Sequence, residues 1–162
     1  MIKFKVKSSF SKFVNKYKSL NIPKIMATES VKFSKEAFSK GGFTDKSFVR
    51  WKVNSQGTQT LVDTGSLMNS IKIISIGKRS AIIGSTLDYA RIQNEGGSIT
   101  ITDKMRGYFW AQYKRTGRDF WKWCALSKDR IQIPKRQFIG NSYVLEQRIK
   151  RIVENRLKII DK

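Results

Sequence analysis

The strongest constraint on the fold is a change in hydrophobic period along the chain. Runs of β-branched residues separated by glycine turns occupy the middle, and segments with helical spacing lie on both sides of them. One predicted helix covers about residues 24–40 and ends at Gly41-Gly42. Another covers about residues 142–160 and carries an apolar stripe made of Leu145, Ile149, Ile152, Val153 and Ile160.

The middle segment, Thr60 to Thr102, predicts short strands joined by tight turns. Gly77 to Ser80 is typical of a hairpin turn, and Gly96-Gly97 marks another break. Such short connections predict antiparallel pairing. The preceding residues 43–59 predict a loop in which Phe48 and Trp51 act as hydrophobic anchors.

Charge limits the range of partners. The chain has 33 lysines and arginines against 12 acidic residues, a net charge of +21. Nucleic acid, an anionic membrane or an acidic protein would be attracted, although lysines that only solvate the surface are an equal alternative. The chain has no histidine, which excludes Ser-His-Asp and Cys-His catalysis and histidine-ligated metal sites. Its one cysteine, Cys124, excludes an internal disulfide and predicts a buried, inert thiol.

The first 24 residues predict a basic arm ahead of a single domain at 25–162. A short strand pattern is followed by an amphipathic helical pattern, and the arm contains no acidic residue. We expect it to pack on the domain or on a neighbouring subunit rather than on a membrane. Its lysines include Lys3, Lys5, Lys7, Lys12, Lys16 and Lys18.

The lack of a recognisable export signal predicts that the protein stays in the cytoplasm. The basic start lacks the apolar core and cleavage site of a signal peptide, and no apolar run is long enough to cross a bilayer. We expect synthesis in a reducing cytoplasm and no membrane partner.

Aromatic and basic residues alternate between Met105 and Leu126. Such a mixture suits stacking on single-stranded nucleic acid, a protein interface or the core face of a helix. A core or interface role is the favoured interpretation. The candidate interface residues are Tyr108, Phe109, Trp110, Trp121 and Trp123.

Asp63-Thr64-Gly65 permits an enzymatic alternative. Aspartic proteases place this tripeptide in a tight turn where two aspartates share a proton. The chain has one such turn, so a protease would need a homodimer, and its helical ends do not suit an almost all-β enzyme. A plain turn stabilised by Asp and Thr side chains is the simpler interpretation.

Three short patterns carry a resemblance to a known family. The first is Leu61, Thr64, Gly65, Leu67, Ser70 and Ile71; the second is Tyr89, Ala90, Ile92, Gly96 and Gly97; the third is Ile133, Pro134, Arg136, Phe138 and Gly140. In this order and spacing they resemble the phage virion morphogenesis family, the tail-completion or neck proteins of Mu-like phages and prophages. Gln93 stands where that family usually has histidine.

The resemblance implies an α+β fold, with a small antiparallel sheet flanked by an N-terminal helix and a long C-terminal amphipathic helix. It also implies a non-enzymatic virion protein without cofactors, found in the head–tail neck as a ring of identical subunits. Its partners would be portal or connector proteins and tail proteins. Gly65, Gly96 and Gly97 would permit turns, Pro134 and Arg136 would fix the entry to the last helix, and Tyr89, Trp110 and Phe138 would be core or subunit contacts.

The ring around DNA that the resemblance implies would account for the positive charge, since lysines facing the lumen contact phosphates without reading sequence. The first candidates to face DNA would be the arm lysines Lys3, Lys5, Lys7, Lys12, Lys16 and Lys18. Two alternatives remain open at this point. One is a general nucleic-acid-binding protein, and the other is a dimeric aspartic protease that uses Asp63.

Overall fold

The computed structural model describes residues 1–7, 20–53, 60–127 and 130–160. In these residues the fold is α+β, as predicted. The helices are α1 (Ile22–Lys40), α2 (Ser66–Ser70), α3 (Ala90–Glu95), α4 (Asp103–Thr116), α5 (Asp119–Leu126) and α6 (Tyr143–Ile160). The strands are β1 (Ile2–Lys7), β2 (Gly42–Thr44), β3 (Phe48–Arg50), β4 (Lys72–Ile76), β5 (Ser80–Ser85), β6 (Gly97–Thr100) and β7 (Arg130–Ile133).

The strands form three small antiparallel sheets. The largest has the order β1-β5-β4, and the other two are the pairs β2-β3 and β6-β7. The predicted hairpin turn is confirmed, because the Gly77 amide donates to the Ser80 carbonyl at 2.8 Å. The prediction of short strands from Thr60 to Thr102 was only partly right, since helices α2 and α3 interrupt the strands.

The start of the chain forms part of the central sheet. β1 pairs with β5 over its whole length, from Ile2 opposite Ser85 to Lys7 opposite Ser80. Ile2 is buried in the main core, while Lys3 and Lys5 are exposed. The predicted amphipathic helix of the arm, with Lys12, Lys16 and Lys18, lies outside the described residues.

Helix α1 lies at the centre of the main core. Asn21 caps its first turn by accepting from the Lys24 amide at 3.1 Å, and Gly41 ends it in the left-handed conformation at φ 64°. Phe33, Ala37 and Phe38 lie on its buried face. The helix begins two residues earlier than predicted, since Asn21 is the N-cap and Pro23 suits the first turn.

Helix α6 packs on α1 and is anchored at its start. The Ser142 hydroxyl accepts from the Leu145 amide at 3.1 Å and donates to the Thr44 carbonyl at 2.8 Å. The Asp45 carboxylate accepts from the Tyr143 amide at 2.9 Å. Leu145, Ile149 and Val153 of the predicted apolar stripe are buried. The helix is thereby fixed to the β2-β3 hairpin as well as to α1.

The prediction that Phe48 is a hydrophobic anchor of the segment 43–59 was wrong. Phe48 lies in β3 with 48% of its surface exposed, whereas Trp51 is buried as expected. β2 and β3 also replace part of the predicted loop, and residues 54–59 lie outside the described ranges.

Residues 97–127 with β7 form a separate unit, which we call the aromatic lobe. Helices α4 and α5 pack on each other and on the β6-β7 ribbon around a small cluster of Ile101, Phe109 and Ala125. Gly117, at φ 65°, ends α4 and divides the predicted aromatic segment into two helices. The lobe therefore has its own apolar cluster, distinct from the main core.

Arg148 of α6 links the two long helices. Its guanidinium contacts the carboxylate of Glu29 at 3.2 Å and that of Glu36 at 2.8 Å, both on α1. Glu29 is almost fully buried, so its charge depends on this partner and on Lys32.

We predict that Arg148→Ala lowers the free energy of unfolding by about 1–3 kcal/mol, because it leaves a buried carboxylate with fewer charged hydrogen bonds. Urea unfolding followed by circular dichroism measures the change. Arg151→Ala, at an exposed position of the same helix, is the matched control and should change stability by less than about 0.5 kcal/mol. Equal losses in the two variants would contradict this role for Arg148.

Candidate functional site

The second and third sequence patterns are joined by the side chain of Asn94. Its carboxamide oxygen accepts from the backbone amides of Phe138 and Ile139, both at 2.9 Å. Asn94 is buried at the end of α3, and both amides are buried with it. One side chain thus satisfies two backbone groups that have left regular secondary structure.

Arg136 makes a second connection between these patterns. Its amide donates to the Gln93 carbonyl at 2.9 Å, and its guanidinium donates to the Gln93 side chain at 3.4 Å. The guanidinium also donates to the Lys52 carbonyl at 3.3 Å. Burial lowers the pKa of Arg136, as desolvation disfavours its charged form. Gln93 therefore has a structural partner at the position where the resembled family usually has histidine.

Aromatic rings extend this connection into the main core. Trp51 donates its indole N–H to the Gln137 carbonyl at 2.8 Å. Its ring packs edge-on against the ring of Phe38 in α1, with centroids 5.4 Å apart. The ring of Phe138 packs on Phe38 as well, with centroids 5.1 Å apart. The third pattern is consequently held from both sides, by α3 and by α1.

The first pattern forms the turn into α2. Gly65 adopts φ 72°, which a β-carbon would strain, and Leu67 and Ile71 are buried. The Ser70 hydroxyl donates to the Leu67 carbonyl and lies 2.7 Å from the hydroxyl of Ser85 at the end of β5. Ser85 in turn accepts from the Leu87 amide at 3.1 Å. The first pattern is thereby tied to the segment that leads into the second.

A surface depression brings the first two patterns together. It is lined by Leu61, Asp63, Thr64, Gly65, Ser66, Leu67, Tyr89 and Gln93. We call it the Asp63 depression. Asp63 carries the only charge among the described residues that line it, and Tyr89 is nearly half exposed at its side.

The predicted motif residues fall into three burial groups. The buried ones are Leu67, Ile71, Ala90 and Phe138. The half-buried ones are Leu61, Gly65, Ser70, Ile92, Gly96, Ile133, Pro134, Arg136 and Gly140. The exposed ones are Thr64, Tyr89 and Gly97. Of the three aromatic residues expected in the core or at a subunit contact, Phe138 is in the core and Tyr89 and Trp110 are exposed.

Steric crowding explains why residue 96 is a glycine. It adopts φ 75°, and a β-carbon there would lie 2.8 Å from the Lys135 backbone nitrogen. The close approach of the third pattern to the end of α3 therefore requires glycine at this position. Gly97 follows with φ 149° at the start of β6.

Asp63 does not sit in the environment of an aspartic protease. The aspartate is exposed, and the residues after it enter a helix rather than a strand. In the described ranges no group of three His, Cys, Asp or Glu residues is placed to hold a metal ion.

The predicted interface aromatics divide into an inner and an outer set. Phe109 and Trp121 stack inside the aromatic lobe with centroids 6.1 Å apart. Tyr108, Trp110 and Trp123 are exposed, and Trp123 has 75% of its surface free. Arg106 donates to the carbonyls of Ala125 and Ser127 at 2.8 and 3.0 Å and so stabilises the end of α5.

Cys124 is half-buried in the same lobe. Burial raises the pKa of its thiol, so the reactive thiolate is depleted at neutral pH. The thiol is therefore less buried than predicted, while its raised pKa agrees with the predicted low reactivity.

Sequence inspection missed Asn94, Gln137 and Ser85 as the residues that connect the patterns. They are polar residues in short segments without a periodic pattern, so their partners are visible only in three dimensions. Phe120 and Leu126 were also missed as exposed apolar residues of α5.

We predict that Asn94→Ala lowers the free energy of unfolding by about 2–4 kcal/mol, because two buried amides lose their acceptor. Asn69→Ala, the same substitution at an exposed position of the short helix α2, should change stability by less than about 0.5 kcal/mol. Urea midpoints of the two variants and the parent protein measure the difference. An Asn94→Ala loss no larger than the control would contradict the connection.

Comparison with known proteins gives one match. The model of the phage virion morphogenesis family matches residues 41–158, which is more than two thirds of the chain and includes all three patterns and the aromatic lobe. No curated protein and no solved structure matches the chain. Among the described residues, no helix is long and apolar enough to cross a membrane.

Proposed function

Because the chain belongs to the phage virion morphogenesis family, we propose that it is a non-enzymatic structural protein of the head–tail connector or neck. In this role it completes the tail or joins the tail to the DNA-filled head. The subunits form a ring that contacts portal or connector proteins on one side and tail proteins on the other. Assembly takes place in the cytoplasm of the bacterial host.

The way in which the motif residues use their polar groups supports a structural role. The Ser70 hydroxyl and the Arg136 guanidinium donate to backbone carbonyls, those of Leu67 and Lys52. Asn94, which lies within the second pattern, accepts from the Phe138 amide. An active site normally leaves such groups facing a cleft where a substrate can reach them. Here these three side chains hold the chain in shape, which supports a structural role for the motifs.

The net charge of +21 supports contact with packaged DNA. In the proposed ring, lysines on the lumen face phosphates and bind them without sequence preference. Lys3 and Lys5 are exposed on β1, an edge strand of the sheet, and are the first candidates among the described lysines.

We predict that gold-labelled antibody against the chain marks the head–tail junction of the phage particle in electron micrographs. We also predict that loss of the gene yields separate filled heads and tails, because the joining piece is missing. Complementation with the intact gene is the control. Labelling along the whole tail, or particles that join normally without the protein, would contradict a neck position.

The exposed Trp123 lies beside basic residues, which favours one alternative function, a general nucleic-acid-binding protein that works as a free subunit.

The two functions differ in which residues contact DNA. For a lumen contact we predict that Lys3→Ala with Lys5→Ala lowers the salt-dependence slope of duplex DNA binding by about 1–2, since each lost phosphate contact removes about 0.9.

Lys46→Ala with Arg50→Ala, on the exposed β2-β3 hairpin, is the matched control and should leave the slope unchanged. Fluorescence anisotropy across a salt series measures the slope. If Trp123→Ser abolishes binding and the β1 lysines do not matter, the free nucleic-acid-binding protein is favoured instead.

A further inference from the structure

Helix α5 carries apolar residues on two sides, and only one side is covered. Ala125 is buried in the lobe, with Trp121 and Cys124 half-buried around it. Phe120, Trp123 and Leu126, spaced three residues apart, are 54%, 75% and 60% exposed. Trp123 and Leu126 also line a shallow surface groove, together with Asp119, Lys122 and Ser127. An exposed apolar stripe of this kind on a short helix marks a contact surface.

The two helices of the aromatic lobe are basic in composition. Helices α4 and α5, with the residues between them, contain two acidic residues, Asp103 and Asp119. They contain six basic residues: Lys104, Arg106, Lys114, Arg115, Arg118 and Lys122. A surface that accepts this stripe should therefore be acidic or neutral and should offer room for an aromatic ring.

The Asp63 depression meets those requirements. Its described lining includes no basic residue, and Asp63 is its only charge. Tyr89 follows an exposed acidic residue, Asp88, in the sequence. Tyr89 offers an exposed ring against which another aromatic side chain can pack.

We propose that the Trp123 stripe of one subunit docks into the Asp63 depression of the next copy of the same chain. This contact rests on the proposed ring function and identifies the two surfaces that build the ring. The stripe and the depression are different surfaces, so the contact is head-to-tail and propagates around a ring. A two-fold contact between stripes would instead oppose two basic lobes, which like-charge repulsion disfavours.

The overall charge sets the conditions for this association. Subunits with a net charge of +21 repel one another at low ionic strength, while the docking surfaces attract only at short range. Self-association of the free protein should therefore strengthen from low to moderate salt. Contacts made mainly by surface ion pairs would weaken over the same range.

Two variants test the contact because each removes one surface and leaves the other intact. Trp123→Ser removes the stripe and Asp63→Lys reverses the charge of the depression. Each should weaken self-association by more than about tenfold in sedimentation velocity at moderate salt. Mixed in equal amounts, the two variants should form a heterodimer and nothing larger, since only one pair of intact surfaces remains.

The matched controls are Tyr143→Ser, an exposed aromatic residue on α6, and Glu146→Lys, an exposed acidic residue on the same helix. Both should associate like the parent protein. The proposal is overturned if the parent stays monomeric up to its solubility limit, if the controls lose association equally, or if the mixed variants stay monomeric. It is also overturned if Trp123→Ser loses only binding to an oligothymidine and keeps self-association.

These outcomes are separable from the proposed function. If antibody marks the head–tail junction while the purified protein fails the mixing test, the neck function stands and this contact is wrong. If the mixing test succeeds and the junction is unlabelled, the contact stands and the neck position is wrong.

Discussion

The buried carboxamide of Asn94 is the interaction on which the arrangement of the motifs depends. It holds the backbone of Phe138 and Ile139 against the end of α3, across more than forty residues of intervening chain. Two buried amides would otherwise have no partner, which makes this position costly to change. Phe38 packs against Phe138, and Trp51 packs on Phe38 and donates to the Gln137 carbonyl, so the same segment also orients the entry to α6.

A consequence of this arrangement is that the intervening segment can leave the main core. The chain departs at Gly96 and returns at Lys135, which lie side by side because glycine permits the close approach. Between these points the aromatic lobe builds its own small cluster. A lobe attached in this way can present residues to a partner without disturbing the core, which suits a protein that works by assembly.

Two acidic residues are paired between the long helices, whereas much of the exposed surface is basic. Glu29 and Glu36 are engaged by Arg148 between the two long helices. Their charges are therefore used to hold α1 and α6 together. Much of the remaining surface is basic, and the Asp63 depression, whose described lining has no basic residue, is a local exception. In a strongly basic chain, such an exception is a place where another basic surface meets less electrostatic repulsion.

Local pattern was sufficient for the elements whose signals are local. Helical spacing with a glycine stop defined α1, an apolar stripe defined α6, and turn chemistry defined the β4-β5 hairpin. The order of the three motifs was also enough to indicate the family that the match identifies. Tertiary structure alone decided that β1 pairs with β5, that Phe48 is exposed, and that Asn94 connects two motifs.

The physical reason is that periodicity shows which face of a segment is apolar, whereas the partner that covers this face is chosen by contacts distant in sequence. For Trp123 the sequence supplied the aromatic ring, and only the packing of the lobe determined that it faces outward.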